Sequence, residues 1–112
     1  MHLALAVRDE DASRRFYERY FGFEVARRAE DGTLMMRNPD GFSLALGRWE
    51  GEAQLPPFLH FGFRALSPDD VHDYSRRFRA DGFEIVEEWD EQDYVSVKVR
   101  DPTGYVVEVA CG

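Results

Sequence analysis

The chain has 112 residues, a net charge of −8 at pH 7 and one cysteine, Cys111. This length suits a single domain over residues 1–112, and the negative charge argues against nucleic acid or an anionic membrane surface as a partner. With one cysteine and no recognisable secretion signal or apolar span of about 20 residues, we expect a cytoplasmic protein.

The first half predicts a strand, a helix and three short strands. Acidic residues at 9–11 suit the positive end of a helix dipole, and Gly22 suits the helix end. The dipeptide Asp31-Gly32 is typical of a hairpin turn. The predicted elements are a strand over 2–7, the helix between 9 and 22, and strands over 24–29, 33–37 and 42–46.

The second half predicts the same order of elements. Ser67 and Pro68 form a typical helix start, and Val71, Tyr74 and Phe78 recur at helical spacing before Gly82. The predicted strands cover 60–65, 84–89, 94–100 and 105–110.

The two halves repeat each other. Residues 2–7, 13–16, 22–25 and 38–42 recur in the same order about 60 residues later, as 60–65, 75–78, 82–85 and 101–105. Such a repeat indicates one supersecondary unit used twice. We therefore predict module 1 over residues 1–49, a linker over 50–58, and module 2 over 59–112.

Alternation along the first and last strand of each module sorts their side chains into two faces. One face is large and apolar, and is expected to pack under the helices. The other face is small or polar, and carries His2, His60 and Glu108. By the repeat, Ala45 occupies the position in module 1 that Glu108 occupies in module 2.

Two imidazoles and one carboxylate form the ligand set of the facial triad that holds Fe(II) and similar divalent ions. His2, His60 and Glu108 are therefore candidate metal ligands if the modules bring them together. The alternative is that two histidines inherited from a duplicated strand are structural or solvated, and that Glu108 lies on the surface.

These residues, together with the segments 14–17, 21–23 and 101–105, resemble the vicinal oxygen chelate superfamily of glyoxalases, bleomycin-resistance proteins and dioxygenases. The resemblance covers essentially the whole chain. It implies an α+β fold of two tandem βαβββ modules that form a cup-shaped mixed sheet with the helices on its outer face, and it implies a homodimer. It also places His2, His60 and Glu108 at family ligand positions, and Ala45 where glyoxalase I has its fourth ligand.

The resemblance implies a small metal-dependent enzyme of glyoxalase or dioxygenase type. A divalent ion (Fe, Mn, Ni, Co or Zn) would chelate adjacent oxygens of an unidentified small molecule and act as a Lewis acid. Arg64 is a candidate partner for an anionic substrate group, and Trp49, Trp89 and Tyr94 are candidate walls of the cup; a surface cation and core aromatics are the alternatives.

Two other functions stay open at this point. One is a metal-free protein that resembles the bleomycin-resistance members and sequesters a small molecule in a cleft at the dimer interface. Ala45 favours it, and so does the lack of a spare general base, because His72 lies off the apolar stripe of its helix. The other is a structural or regulatory dimer with an empty cup.

Overall fold

A computed structural model describes residues 1–51, 55–56 and 58–112. The chain folds into two compact units, Met1–Ala53 and Gln54–Gly112, which contain module 1 and module 2 respectively. The predicted linker over 50–58 spans this division, and its residues 52–54 and 57 lie outside the described residues.

Module 1 is a four-stranded mixed sheet with one helix. Asp9 caps the helix by accepting a hydrogen bond from the Ala12 amide, and Gly22 ends it with a φ of 68°. The strand order is β1-β4-β3-β2, with β1 parallel to β4 and the other pairs antiparallel. The elements are β1 (His2–Val7), α1 (Glu10–Phe21), β2 (Glu24–Arg28), β3 (Leu34–Arg37) and β4 (Ser43–Arg48).

Module 2 repeats this topology. Ser67 caps the helix by accepting from the Asp70 amide, and Pro68 opens it. The strand order is β5-β8-β7-β6, with β5 parallel to β8 and the other pairs antiparallel. The elements are β5 (His60–Arg64), α2 (Pro68–Ala80), β6 (Ile85–Glu91), β7 (Tyr94–Arg100) and β8 (Val106–Cys111).

The α+β class and the two βαβββ modules predicted from the sequence are confirmed. In each module the core consists of the helix stripe and the large apolar face of the sheet, as the alternation predicted. None of the helices that the structure describes has the length and apolar character needed to cross a membrane. The fully or almost fully buried side chains include Val7, Tyr17, Phe23, Leu44 and Leu46 in module 1, and Val71, Phe78, Val97, Val99, Val107 and Val109 in module 2.

The hairpins of the two modules differ in length. Strand β3 has 4 residues, whereas β7 has 7, and the register places Met35 and Lys98 at matching positions beside Ala45 and Glu108. Module 1 turns at Asp31, whose side chain accepts the Thr33 amide, while module 2 continues as a strand back to Tyr94. The longer hairpin thus adds strand residues beside β8 only in module 2.

Candidate metal centre

Strand pairing brings His60 and Glu108 together. In the parallel pair β5 and β8, His60 is registered with Val106 and Gly62 with Glu108, so both side chains leave the same face of the sheet, opposite α2. We call this surface the open face of module 2. The His60 Nε2 atom lies 3.6 Å from Glu108 Oε1, and the two side chains are mostly shielded from solvent, at 25% and 17% exposure.

Each of the two side chains also forms a hydrogen bond through its other polar atom. His60 Nδ1 lies 2.9 Å from the Phe58 carbonyl oxygen, which is an acceptor only, so Nδ1–H is the donor. On the other side, the Tyr94 hydroxyl donates to Glu108 Oε2 at 2.7 Å. That hydrogen bond to the carboxylate favours the neutral phenol, and together with burial it raises the pKa of Tyr94.

The remaining atoms, Nε2 and Oε1, fit a metal ion. With Nδ1 as the donor, Nε2 of the neutral ring presents a lone pair toward a carboxylate oxygen. Ligand atoms about 2.0 to 2.2 Å from one ion are roughly 3.0 to 3.5 Å apart in octahedral or tetrahedral geometry. The observed 3.6 Å is just beyond that range and too long for a hydrogen bond. The pair therefore suits a shared cation better than a direct contact.

Module 1 presents a different set of side chains at the matching positions. His2 is exposed and registered with Ser43, while Ala45 lies between Ala4 and Met35. No carboxylate therefore stands at the position of Glu108. Among the described residues, no three His, Cys, Asp or Glu side chains are grouped closely enough to hold an ion. Within module 2, the two donors that lie together are His60 and Glu108.

Cations on the open face of module 2 are mostly paired. Lys98 is the register partner of Glu108 on β7, yet its ammonium nitrogen lies 3.3 Å from Glu87 Oε1 on β6. Arg100 similarly reaches Glu84 at 2.7 Å. Arg64 is exposed and, within the part of the chain that the structure describes, forms no ion pair or side-chain hydrogen bond. Among the described cations of the open face, it is therefore the one available to an external anion.

A cavity of about 190 Å³ lies beside His60. Its polar members and Val106 come from the open face, whereas most of its other apolar members come from the segment before β5. It is lined by Leu55, Pro56, Phe58, Leu59, His60, Val86, Glu87, Lys98, Arg100, Gly104 and Val106.

Of the predicted aromatic walls, Trp49 lies in module 1, whereas Trp89 and Tyr94 both lie on the open face of module 2. Trp49 is half-buried in module 1 and donates its amide to the Val7 carbonyl. Trp89 is exposed on β6, registered with Ser96. Tyr94 contacts Glu108 directly, which sequence reasoning did not foresee. His72 pairs with Asp90 at 3.1 Å, on the helix side of the sheet and away from the open face.

Sequence reasoning also missed Lys98 and the Phe58 carbonyl. Lys98 alternates with Val97 and Val99, so sorting β7 into faces as β5 and β8 were sorted would have placed it beside Glu108. The Phe58 carbonyl carries no sequence signal, because a backbone acceptor depends only on the path of the chain.

Comparison with known proteins places the chain in a family. A model of the Glyoxalase/Bleomycin resistance protein/Dioxygenase superfamily matches residues 1–109. A possible glyoxalase from Bacillus cereus is 34% identical, with a TM-score of 0.84 over 98% of this chain and 96% of that chain. None of the curated protein sequences matches the chain.

Two further solved structures share the fold. A lactoylglutathione lyase from Agrobacterium tumefaciens is 26% identical, with a TM-score of 0.76 over 100% of this chain and 92% of that chain. A mutant of the fosfomycin resistance protein FosX from Listeria monocytogenes, complexed with Mn(II) and 1S,2S-dihydroxypropylphosphonic acid, is 19% identical, with a TM-score of 0.84 over 100% and 90% of the two chains.

Proposed function

The chain belongs to the Glyoxalase/Bleomycin resistance protein/Dioxygenase superfamily, and from this premise we propose that it is a small metal-dependent enzyme. His60 and Glu108 hold a divalent ion, and the substrate is a small molecule that offers two adjacent oxygens to that ion. We propose His2 as the third protein ligand on its matching position in the repeat alone, because no third donor is grouped with His60 and Glu108 among the described residues. It would complete a set of two histidines and one carboxylate.

The observation that carries this proposal is the approach of His60 Nε2 to Glu108 Oε1 at 3.6 Å. Each group already uses its other polar atom on a partner, the Phe58 carbonyl for His60 and the Tyr94 hydroxyl for Glu108. Metal-binding histidines and carboxylates are commonly oriented by such outer partners. The Mn(II) complex of the FosX neighbour supports a divalent ion, and Mn, Fe, Co, Ni and Zn are the candidates.

The chain's own residues would position the substrate. A bound divalent ion supplies Lewis-acid stabilisation of negative charge on the chelated oxygens. Arg64 lies two residues beyond Gly62 on the open face and would pair with an anionic substrate group. The apolar side chains of the cavity beside His60 would cover the hydrocarbon part of the substrate.

Metal analysis tests this function. The purified protein, stripped with chelator and reloaded with each candidate metal in turn, is expected to bind one ion per chain and to melt at a higher temperature when loaded. His60→Ala and Glu108→Ala should lose the ion, and His2→Ala should bind it more weakly. His72→Ala is the matched control, because it removes the same side-chain type from outside the open face.

Two outcomes would contradict the proposal. One is a wild-type protein without stoichiometric metal whose melting temperature no added metal raises. The other is a His60→Ala variant that binds metal as the wild type does. Unchanged affinity in His2→Ala alone would remove only the third ligand.

A second candidate function is metal-free sequestration of a small molecule, as in bleomycin-resistance members of the family. The apolar wall beside His60, with Leu55, Phe58 and Leu59, favours it, and so does the alanine at position 45. Calorimetric titration of the metal-free protein with glycopeptide drugs and aromatic natural products tests it. Saturable binding that survives in His60→Ala would favour sequestration over catalysis.

We also propose that the protein functions as a homodimer. Paired βαβββ modules in this family commonly work in that state. Sedimentation equilibrium is expected to give twice the 13.0 kDa chain mass, and a monomer at all concentrations would contradict the proposal.

A further inference from the structure

We propose that Tyr94 is a positioning residue for the metal centre. It fixes the Glu108 carboxylate so that one oxygen, Oε1, faces His60 and is free to bind the ion. This role rests on the proposed function, because it requires Glu108 to be a ligand.

The Tyr94 contact selects an orientation that the backbone leaves open. Rotation of a glutamate carboxylate about its last torsion is broad and roughly two-fold, so strand pairing alone does not decide which way the oxygens point. The Tyr94 hydroxyl binds Oε2 at 2.7 Å, while Oε1 lies 3.6 Å from His60 Nε2. One oxygen is thus used for orientation and the other is presented as a single ligand atom.

No cation of the open face, within the described residues, takes the place of Tyr94. Lys98 is the register partner of Glu108 and would be its natural counter-ion, but its ammonium group turns to Glu87 at 3.3 Å. In the same part of the chain, Glu108 has two side-chain partners, His60 and Tyr94. A neutral donor holds the carboxylate without cancelling its charge, and that charge is what a divalent ion requires.

The difference between the modules points the same way. Tyr94 lies in the part of β7 that has no counterpart in the shorter strand β3, where the chain turns at Asp31. The longer hairpin therefore occurs in the module that carries Glu108, whereas the module that carries Ala45 has the shorter one. A contact that only stabilised the sheet would be useful in both modules. A contact that orients a metal ligand is useful only in module 2, which carries Glu108.

Cobalt(II) binding to full-length Tyr94→Phe tests this role. The variant removes one oxygen and keeps the ring, and Tyr74→Phe is the matched control, since it removes the same atom from α2. Loss of an outer partner of a metal ligand typically weakens affinity about 10- to 100-fold. We expect a loss of that size, with a changed cobalt visible spectrum, in Tyr94→Phe and neither effect in Tyr74→Phe.

The spectrum separates positioning from general stability, because it reports the arrangement of atoms bound to cobalt. Melting temperatures in chelator show whether each variant is folded. If the wild type binds cobalt and Tyr94→Phe binds it with the same affinity and the same spectrum, the role of Tyr94 is overturned and the proposed function is unaffected. Absence of cobalt binding by the wild type would overturn both.

Discussion

A Cβ atom placed on Gly62 would lie 2.7 Å from the backbone oxygen of Glu108 and 3.3 Å from its Cβ. The two residues are register partners across β5 and β8. The glycine lets the two strands approach more closely at this point than a residue with a Cβ atom would allow, and it leaves the space beside the Glu108 carboxylate empty of its own side-chain atoms. The preceding β5 residue on the open face is His60, so the position of β5 relative to β8 also sets the separation of the two donors.

Gly62→Ala should therefore disturb both stability and the metal centre. Forcing an extra carbon against backbone costs about 1–3 kcal/mol of unfolding free energy, since a strand has to move. The same movement shifts His60 relative to Glu108, so metal affinity should fall as well. Denaturant unfolding and metal titration measure the two effects.

Gly47→Ala provides the control for Gly62→Ala. It makes the same change in module 1, where the nearest atom to the new Cβ is the Leu5 carbonyl oxygen at 4.0 Å. We expect its unfolding free energy and metal affinity to stay close to wild type. Equal losses in the two variants would show that the close approach at Gly62 has no special effect.

The turn before β8 depends on one carboxylate. Asp101 is buried, and its Oδ1 accepts the backbone amides of Thr103, Gly104 and Tyr105, each at 2.9 Å. Asp101→Ala leaves these amides without that acceptor, and hydrogen bonds to a charged group are worth about 1.5–3 kcal/mol. We expect a loss of unfolding free energy of that size, measured by urea denaturation.

Asp101→Asn is the control for Asp101→Ala, because an asparagine occupies the matching turn in module 1. There the Asn38 side-chain oxygen accepts the amides of Asp40 and Phe42, so a neutral amide suffices for this turn. Asp101→Asn should therefore retain most of the stability. If Asp101→Asn and Asp101→Ala lost equally, the charge rather than the acceptor geometry would be responsible.

Most of the fold followed from the sequence because its signals are local. The Ser67 cap, the Gly22 helix end and the period-two alternation of β7 each depend on neighbouring residues, and each was observed. The repeat then supplied the long-range order that single segments lack. Strand ends were less well determined: β4 and β6 each run two residues past their predicted last residues, to Arg48 and Glu91, because hydrogen bonding to a neighbouring strand sets where a strand stops.

The candidate site was predictable only in part. Alternation correctly placed His60 and Glu108 on one face, because side-chain direction follows from position along a strand. It gave no information on the Tyr94 to Glu108 hydrogen bond, which joins residues 14 apart through the length of a hairpin. Nor did it show that Lys98 pairs with Glu87 rather than with Glu108, since both carboxylates lie beside it on neighbouring strands.

The core of module 2 depends on Phe78, which is fully buried on the apolar stripe of α2. Phe78→Ala should cost about 3–5 kcal/mol of unfolding free energy, because it removes buried surface and leaves a cavity. Leu66→Ala is the control, as Leu66 is 93% exposed just before α2 and its truncation should change the free energy by at most about 0.5 kcal/mol. Urea denaturation measures both, and a loss below about 1 kcal/mol in Phe78→Ala would contradict the assigned core.

A carboxylate between β6 and α2 should make the stability of module 2 depend on pH. Hydrogen bonds from the Arg79 guanidinium, the larger effect, and from the Ser75 hydroxyl lower the pKa of Glu88. Because the folded pKa is depressed, this stabilisation is fully present above the unfolded carboxyl pKa of about 4.3 and is lost as pH falls through the folded value. The ring of His72 faces the same side of β6, where it pairs with Asp90, and its electrostatic effect also lowers the pKa of Glu88.

Glu88→Gln should therefore be less stable than wild type at neutral pH, and the difference should shrink as the pH falls below about 4.3. Urea denaturation of both proteins between about pH 7 and about pH 3 measures it. Glu91→Gln is the matched control, because Glu91 is exposed on the same strand and has no ion-pair partner among the residues that the structure describes. Its difference from wild type should be small at every pH. If the difference in unfolding free energy between Glu88→Gln and wild type stays constant through the acid range, the charge of Glu88 does not stabilise the contact between β6 and α2.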